Sequence, residues 1–140
     1  STVNVVIGQR LIRKLTGNKE KYNLSKAAIA SLAKVVDLDR VMEFLKTEKV
    51  VPASADWENI TFYKPRPSEE TEDGFKGRIG IHEALTMTAT LRELVIKNAT
   101  SEQIENQAKK EGMMTMIEDG LFKAVLGETT IEEVLRVVSQ

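Results

Sequence analysis

Cysteine is absent from this chain of 140 residues, histidine and tryptophan occur once each, and proline occurs three times. Without thiols there is no disulfide, no thiolate nucleophile and no cysteine-ligated zinc, and one imidazole cannot supply the paired histidines of an HExxH metal site. Sequences of the GxSxG and GxxxxGK[ST] types are missing too, which removes the strained serine elbow and the phosphate-cradling loop with its lysine. Charge of a single sign is also missing. Twenty basic residues stand against 21 acidic ones, for a formal net charge of −1, so a nucleic-acid partner is not expected. No apolar run reaches the roughly 20 residues that span a bilayer, and no signal peptide opens the chain; direct membrane insertion is not expected either. The length fits one domain, or one small module with an insertion. The chain begins Ser-Thr-Val without Met and is expected to be a segment of something longer.

What is present is organised by periodicity. In "STVNVVIGQRLIRKLTGN", Val3, Ile7, Leu11 and Leu15 recur every four residues. This predicts a helix over residues 1–17, with Ser1 or Thr2 as N-cap and Gly17 or Asn18 ending it. Six basic residues and one acid, Glu20, lie between Arg10 and Lys26, a balance that suits the C-terminal dipole of a helix. "NLSKAAIASLAKVVD" predicts a second helix capped by Asn23 or Ser25, and "LDRVMEFLKTEKV" a third, with Val41, Phe44 and Leu45 inward and Pro52 as its stop. Ile60, Thr61, Phe62 and Tyr63 are strand formers bounded by Pro65 and Pro67. After the acidic "SEETED", which reads as a mobile loop, "GFKGRIGIHEAL" reads as a second strand kinked by Gly74, Gly77 and Gly80. Residues 60–64 are therefore expected to pair with part of 77–85 as a β-hairpin.

The remainder predicts four short helices. Thr90 with Glu93, Thr100 with Gln103, Thr115 with Glu118 and Thr129 with Glu132 match the capping-box spacing, and Asn98, Gly112 and Gly127 fall where the first three helices should stop. The inward faces are Leu91, Leu94 and Val95; Ile104 and Ala108; Ile117, Leu121 and Val125; and Ile131, Val134, Leu135 and Val138. Gly120, inside the third of these helices, suggests a close crossing.

The chemistry offered is narrow. GxxGxxG is not the GxGxxG dinucleotide fingerprint, and it precedes a strand where that fingerprint would follow one. His82 and Glu83 are neighbours on a strand, so their side chains point to opposite faces and do not share a site. No catalytic residue and no metal site is assigned. Arg78, set between glycines, has two readings: an exposed strand arginine paired with a carboxylate, or a guanidinium able to approach a phosphate in a site completed by another domain or subunit.

The blocks "QRLIRKL", "GFKGRIGIHEAL" and "EGMMTMIEDGLFKAVLGETTIEEVLRV", in this order, resemble the C-terminal end of the hexameric motor ATPases of type IV pilus assembly and type II secretion. The resemblance covers residues 1–17 and 74–140. It implies a RecA-like core, carrying the nucleotide motifs together with ATP and Mg, that is not among these residues, so the segment itself has no cofactor and is not an enzyme alone. It makes Arg78 the first candidate for contact with bound nucleotide and Arg10 and Arg13 weaker ones. The implied partners are that core, neighbouring motor subunits and an inner-membrane platform protein, in a cytoplasmic machine peripheral to the inner membrane. The family's two Cys pairs are replaced by the windows "TGNKEKY" and "EETED", so the insertion must be held by apolar packing of Ile29, Leu32, Val36, Val41, Phe44, Leu45 and Trp57.

The resulting expectation is a mainly α protein with one small antiparallel β-hairpin. It is divided into an N-terminal helix over 1–17, a helical insertion with the first hairpin strand over 18–73, and a Gly-rich strand with a four-helix array over 74–140. The alternative is a stand-alone protein-interaction or adaptor module that keeps the motor's C-terminal fold.

Overall fold

The computed structural model describes residues 5–139. In chain order they form β1 (Val5–Leu15), β2 (Lys19–Asn23), α1 (Lys26–Ala33), α2 (Leu38–Thr47), β3 (Thr61–Pro65), β4 (Phe75–Thr86), α3 (Ala89–Ile96), α4 (Ser101–Lys110), α5 (Met116–Val125) and α6 (Ile131–Val138). The strands make two antiparallel two-stranded sheets, β1 with β4 and β2 with β3. This is an α/β fold, which corrects the expectation of a mainly helical chain with a single hairpin.

Two local readings account for the difference. The predicted opening helix is a strand from Val5 onward; its proposed caps Ser1 and Thr2, and Val3, lie outside the described residues. Four-residue spacing was a coincidence in a segment rich in β-branched residues (Val5, Val6, Ile7, Ile12) and interrupted by Gly8, a composition that disfavours helix and favours a pleated surface. Once that segment is a strand it takes β4 as its partner, with Arg10 opposite Ile81 and Ile12 opposite Ile79. β3 then pairs with β2, Tyr22 opposite Phe62, instead of forming a hairpin with β4.

The helix ends follow their side chains. Ser25 caps α1 and Asp37 caps α2. Thr100 with Gln103 and Thr115 with Glu118 form both halves of a capping box. The other two caps shift: Thr88, not Thr90, caps α3, and Thr130, not Thr129, caps α6. Thr129 is fully buried and its hydroxyl donates to the Arg13 carbonyl at 2.9 Å, which leaves the capping position to its neighbour. Asn98, Gly112 and Gly127 do end α3, α4 and α5, each at positive φ. α2 stops at Thr47, well before Pro52, with Lys49 in the left-handed region.

The main core surrounds Phe62, which stacks on Trp57 with centroids 6.4 Å apart. Leu32, Val36, Val41 and Leu45 are buried there, with Ile29 and Trp57 packed against them. Phe44 is instead half-buried beneath the Arg40 guanidinium. Leu121 and Ala124 of α5 and Ile131 of α6 belong to this same core, so the insertion and the C-terminal helices are packed as one body. A second cluster, Ile12, Ile81, Val134 and Val137, fixes α6 against the β1–β4 ribbon. Gly120 allows that arrangement: a Cβ there would collide with the Val134 side chain.

Candidate functional site

The β1–β4 ribbon carries all three arginines singled out from the sequence. An antiparallel register places Arg13 directly opposite Arg78, which puts both side chains on one face. Their environments differ. The Arg13 guanidinium donates to both carboxylate oxygens of Glu133, at 3.0 and 2.8 Å, and its backbone N–H reaches the same carboxylate at 3.2 Å. It also faces Asp73 at 3.4 Å and lies over the Phe75 ring at 4.3 Å. The hydrogen bond to Glu133 raises the pKa of Arg13 above its already high value. Arg10 donates from Nη1 to the Val137 carbonyl at 3.1 Å, at the end of α6. Two of the three thus bind the protein's own last helix. Arg78 is exposed and has no hydrogen bond or ion pair among the described residues.

Glu133 is the charge on which this corner is built. Its side chain is only 3% exposed. Burial pushes its pKa up, but hydrogen bonds from Arg13 and Arg136, the Arg13 backbone N–H and the Arg13 charge outweigh burial and hold the carboxyl down at about 2. Glu133 occupies the N3 position of α6. The capping-box reading fell one residue short of it, because Glu132 and Glu133 are both acids and only the hidden Thr129 decides between them.

The glycines divide by cause. Gly74 and Gly77 have φ of 80° and 79°, a conformation that side chains rarely adopt, and a Cβ on Gly74 would also lie 2.7 Å from the Arg66 nitrogen. Gly80 is needed for space only, against the side chains of Gln9 and His82. The chain that follows β1 meets the residues flanking the "EETED" window, the Thr16 N–H donating to the Gly74 carbonyl at 3.2 Å and Arg66 reaching Asn18 at 3.4 Å. His82 and Glu83 diverge as their strand positions require. The His82 backbone N–H donates to Asp119 at 2.8 Å, whereas the Glu83 carboxylate accepts from the Met116 N–H at 3.2 Å.

The two edges of the ribbon are unequal. On β4, Asp119 takes the His82 N–H and Lys123 donates to the Gly80 carbonyl at 2.6 Å. On β1, the C-terminal half is closed in the same way: Leu15 N–H donates to Glu128 and Arg13 is bonded to Thr129 and Glu133. In an antiparallel pair the outward-facing backbone groups belong to alternate residues, so those of Val5, Ile7, Gln9 and Leu11 continue the same edge. No strand lies beside them among the described residues. Val5, Val6, Ile7 and Leu11 are 49–67% exposed. Among the described residues no group of acids and histidine is placed to hold a metal ion, and no helix is long and apolar enough to cross a membrane.

Comparison with known proteins gives a consistent picture. Residues 1–136 match the model of the family described as type II/IV secretion system protein. The chain is 43% identical over 138 residues to type II secretion system protein E of Xanthomonas campestris pv. campestris, covering 98% of this chain and 21% of that protein. It is 30% identical, with the same coverage, to the type IV pilus assembly ATPase PilB of Pseudomonas aeruginosa. A third relative, PilB of Thermus thermophilus, is 33% identical over 83% of the chain and 14% of its own length. The chain spans about a fifth of the length of the first two relatives.

Proposed function

The chain belongs to the type II/IV secretion system protein family, and on that premise we propose that it serves as the C-terminal portion of a hexameric ATPase that powers type II secretion or type IV pilus assembly. The observation that supports this reading is the open half of β1. Backbone groups with no strand beside them among the described residues, flanked by exposed Val5, Val6, Ile7 and Leu11, are a template for another strand and a liability if left bare. The rest of a RecA-like core, continuing the sheet from that edge, is the partner that fits.

In this reading the ATP–Mg site is built mainly by the core; among the described residues no group of acids and histidine is placed to hold a metal ion. Their contribution in this reading is positional and electrostatic. Arg13 and Arg10 tie the ribbon to α6, and Arg78, free of carboxylates, presents its charge to a nucleotide site completed by the core or by a neighbouring subunit. The machine would work in the cytoplasm, peripheral to the inner membrane, against a platform protein.

The test is a chimera in which this segment replaces the corresponding fifth of the Xanthomonas protein E. Secretion and ATP turnover should be retained, and Arg78→Ala in the chimera should reduce turnover by about tenfold or more. In the isolated chain the same substitution should leave the unfolding free energy within about 0.5 kcal/mol of the parent. Unchanged turnover in the Arg78→Ala chimera would remove the arginine from the site, and a folded but inactive chimera would remove the motor reading.

A further inference from the structure

The α3–α4 pair stands apart from the body. A cavity of about 570 Å³ separates it on one side, between Leu91 and Ala108 of the pair and His82, Ala84 and Asp119 of the body. On the other side a cavity of about 300 Å³ lies between Glu105 and Lys109 and the body residues Val36, Ile117 and Val138. The ion pairs and hydrogen bonds Lys97–Glu93, Lys109–Glu105 and Gln107–Glu111 all run within the pair. The chain enters it after β4 and leaves it through Gly112, whose φ of 97° marks a permissive joint.

A side chain of the body reaches across to the pair. Arg40, on α2, donates from Nη1 to the Lys109 carbonyl in the last turn of α4, at 3.0 Å, and from Nη2 to the Met113 carbonyl just past the Gly112 joint. Its Nε and Nη2 also bind the Glu118 carboxylate, at 2.9 and 3.3 Å. Glu118 is 2% exposed and accepts the Thr115 N–H as half of the α5 capping box. A single guanidinium thus satisfies the end of α4, the start of α5 and a buried charge, and it does so from a helix 69 to 78 residues earlier in the chain.

We propose that Arg40 is a latch that fastens the α3–α4 arm to the α2–α5 body, so that drawing α2 away frees the arm to swing on its two linkers. The coupling is reciprocal: displacing the arm strips Arg40 of the Lys109 carbonyl and loosens the insertion.

The absence of cysteine makes the test clean, because labels can be placed at Glu43→Cys on α2 and Glu102→Cys on α4 without background. Arg40→Met alone leaves a buried, unpaired carboxylate and risks unfolding. The double variant Arg40→Met/Glu118→Gln removes that charge while the amide oxygen still accepts the Thr115 N–H. In the double variant the α4 amides should exchange with solvent about tenfold faster or more. Those of β1 and β4 should keep their rates, and the distance distribution between the two labels should broaden. Unaltered α4 exchange and label distances would overturn the latch. So would equal acceleration of α4, β1 and β4, which would make the pair a contributor to global stability only.

Discussion

Glu133 gives the sharpest test of how this chain is held together, because its charge ties the first strand to the last helix. Its carboxyl has an ordinary pKa of 4.5 and is held at about 2 in the fold. A depressed carboxylate stabilises the native state above its unfolded pKa, and that contribution is lost as pH falls through the folded value. With each pH unit equivalent to about 1.4 kcal/mol, the full interval corresponds to roughly 3 kcal/mol. The partners Arg13 and Arg136 are 45% and 51% exposed, so solvent screening reduces the expected figure to about 2 kcal/mol. Glu133→Gln preserves the shape and leaves the Glu133 backbone N–H donating to the Thr130 hydroxyl oxygen, but it carries no charge. Urea unfolding at pH 7 should place this variant about 2 kcal/mol below the parent. As pH is lowered from 4.5 the parent should converge on it, with more than half of the gap gone by about pH 3. A gap that keeps its size from pH 7 to pH 3 would refute the electrostatic account, and no gap at pH 7 would show that Arg13 gains nothing from this carboxylate.

Two further outcomes are expected. Gly120→Ala should destabilise the chain by about 1–3 kcal/mol through collision with Val134, and Val134→Ala should recover part of that loss; urea midpoints of the single and double variants check it. Tyr22 is pushed up to about 12 by burial and by the negative charge of Glu132. In a Tyr63→Phe background, spectrophotometric titration should find the remaining phenol ionising near that value and lower after Glu132→Gln; ionisation near pH 10 in the folded chain would contradict the burial.

The C-terminal helices were legible because their signals are local. Thr100, Thr115, Gly112 and Gly127 act on residues three or four positions away, so spacing alone locates them. β1 was not legible, because its pattern is decided by a partner sixty or more residues downstream, and only Ile12 and Leu15 in it are buried. β2, "KEKYN", has one strand former in five residues and exists because β3 pairs with it. Among the arginines, sequence placed Arg78 in an exposed strand between glycines, and that is where it sits. The engagement of Arg13 with Glu133 and of Arg40 with Glu118 is non-local chemistry that periodicity does not report. A buried N3 acid was the available hint, since a carboxylate without water needs a cation from somewhere.

The closure of β1 by the α5–α6 corner also sets a clock. Arg13 finds Asp73 60 residues later and Glu133 120 residues later, and ribosomes add about 5–20 residues per second. Roughly 6–24 s of synthesis separate the making of Arg13 from that of the acid that secures its strand. A nascent-chain holdase, or a neighbouring strand supplied in time, has its opportunity in that interval, and synonymous codons that slow translation between Phe75 and Glu133 would lengthen it.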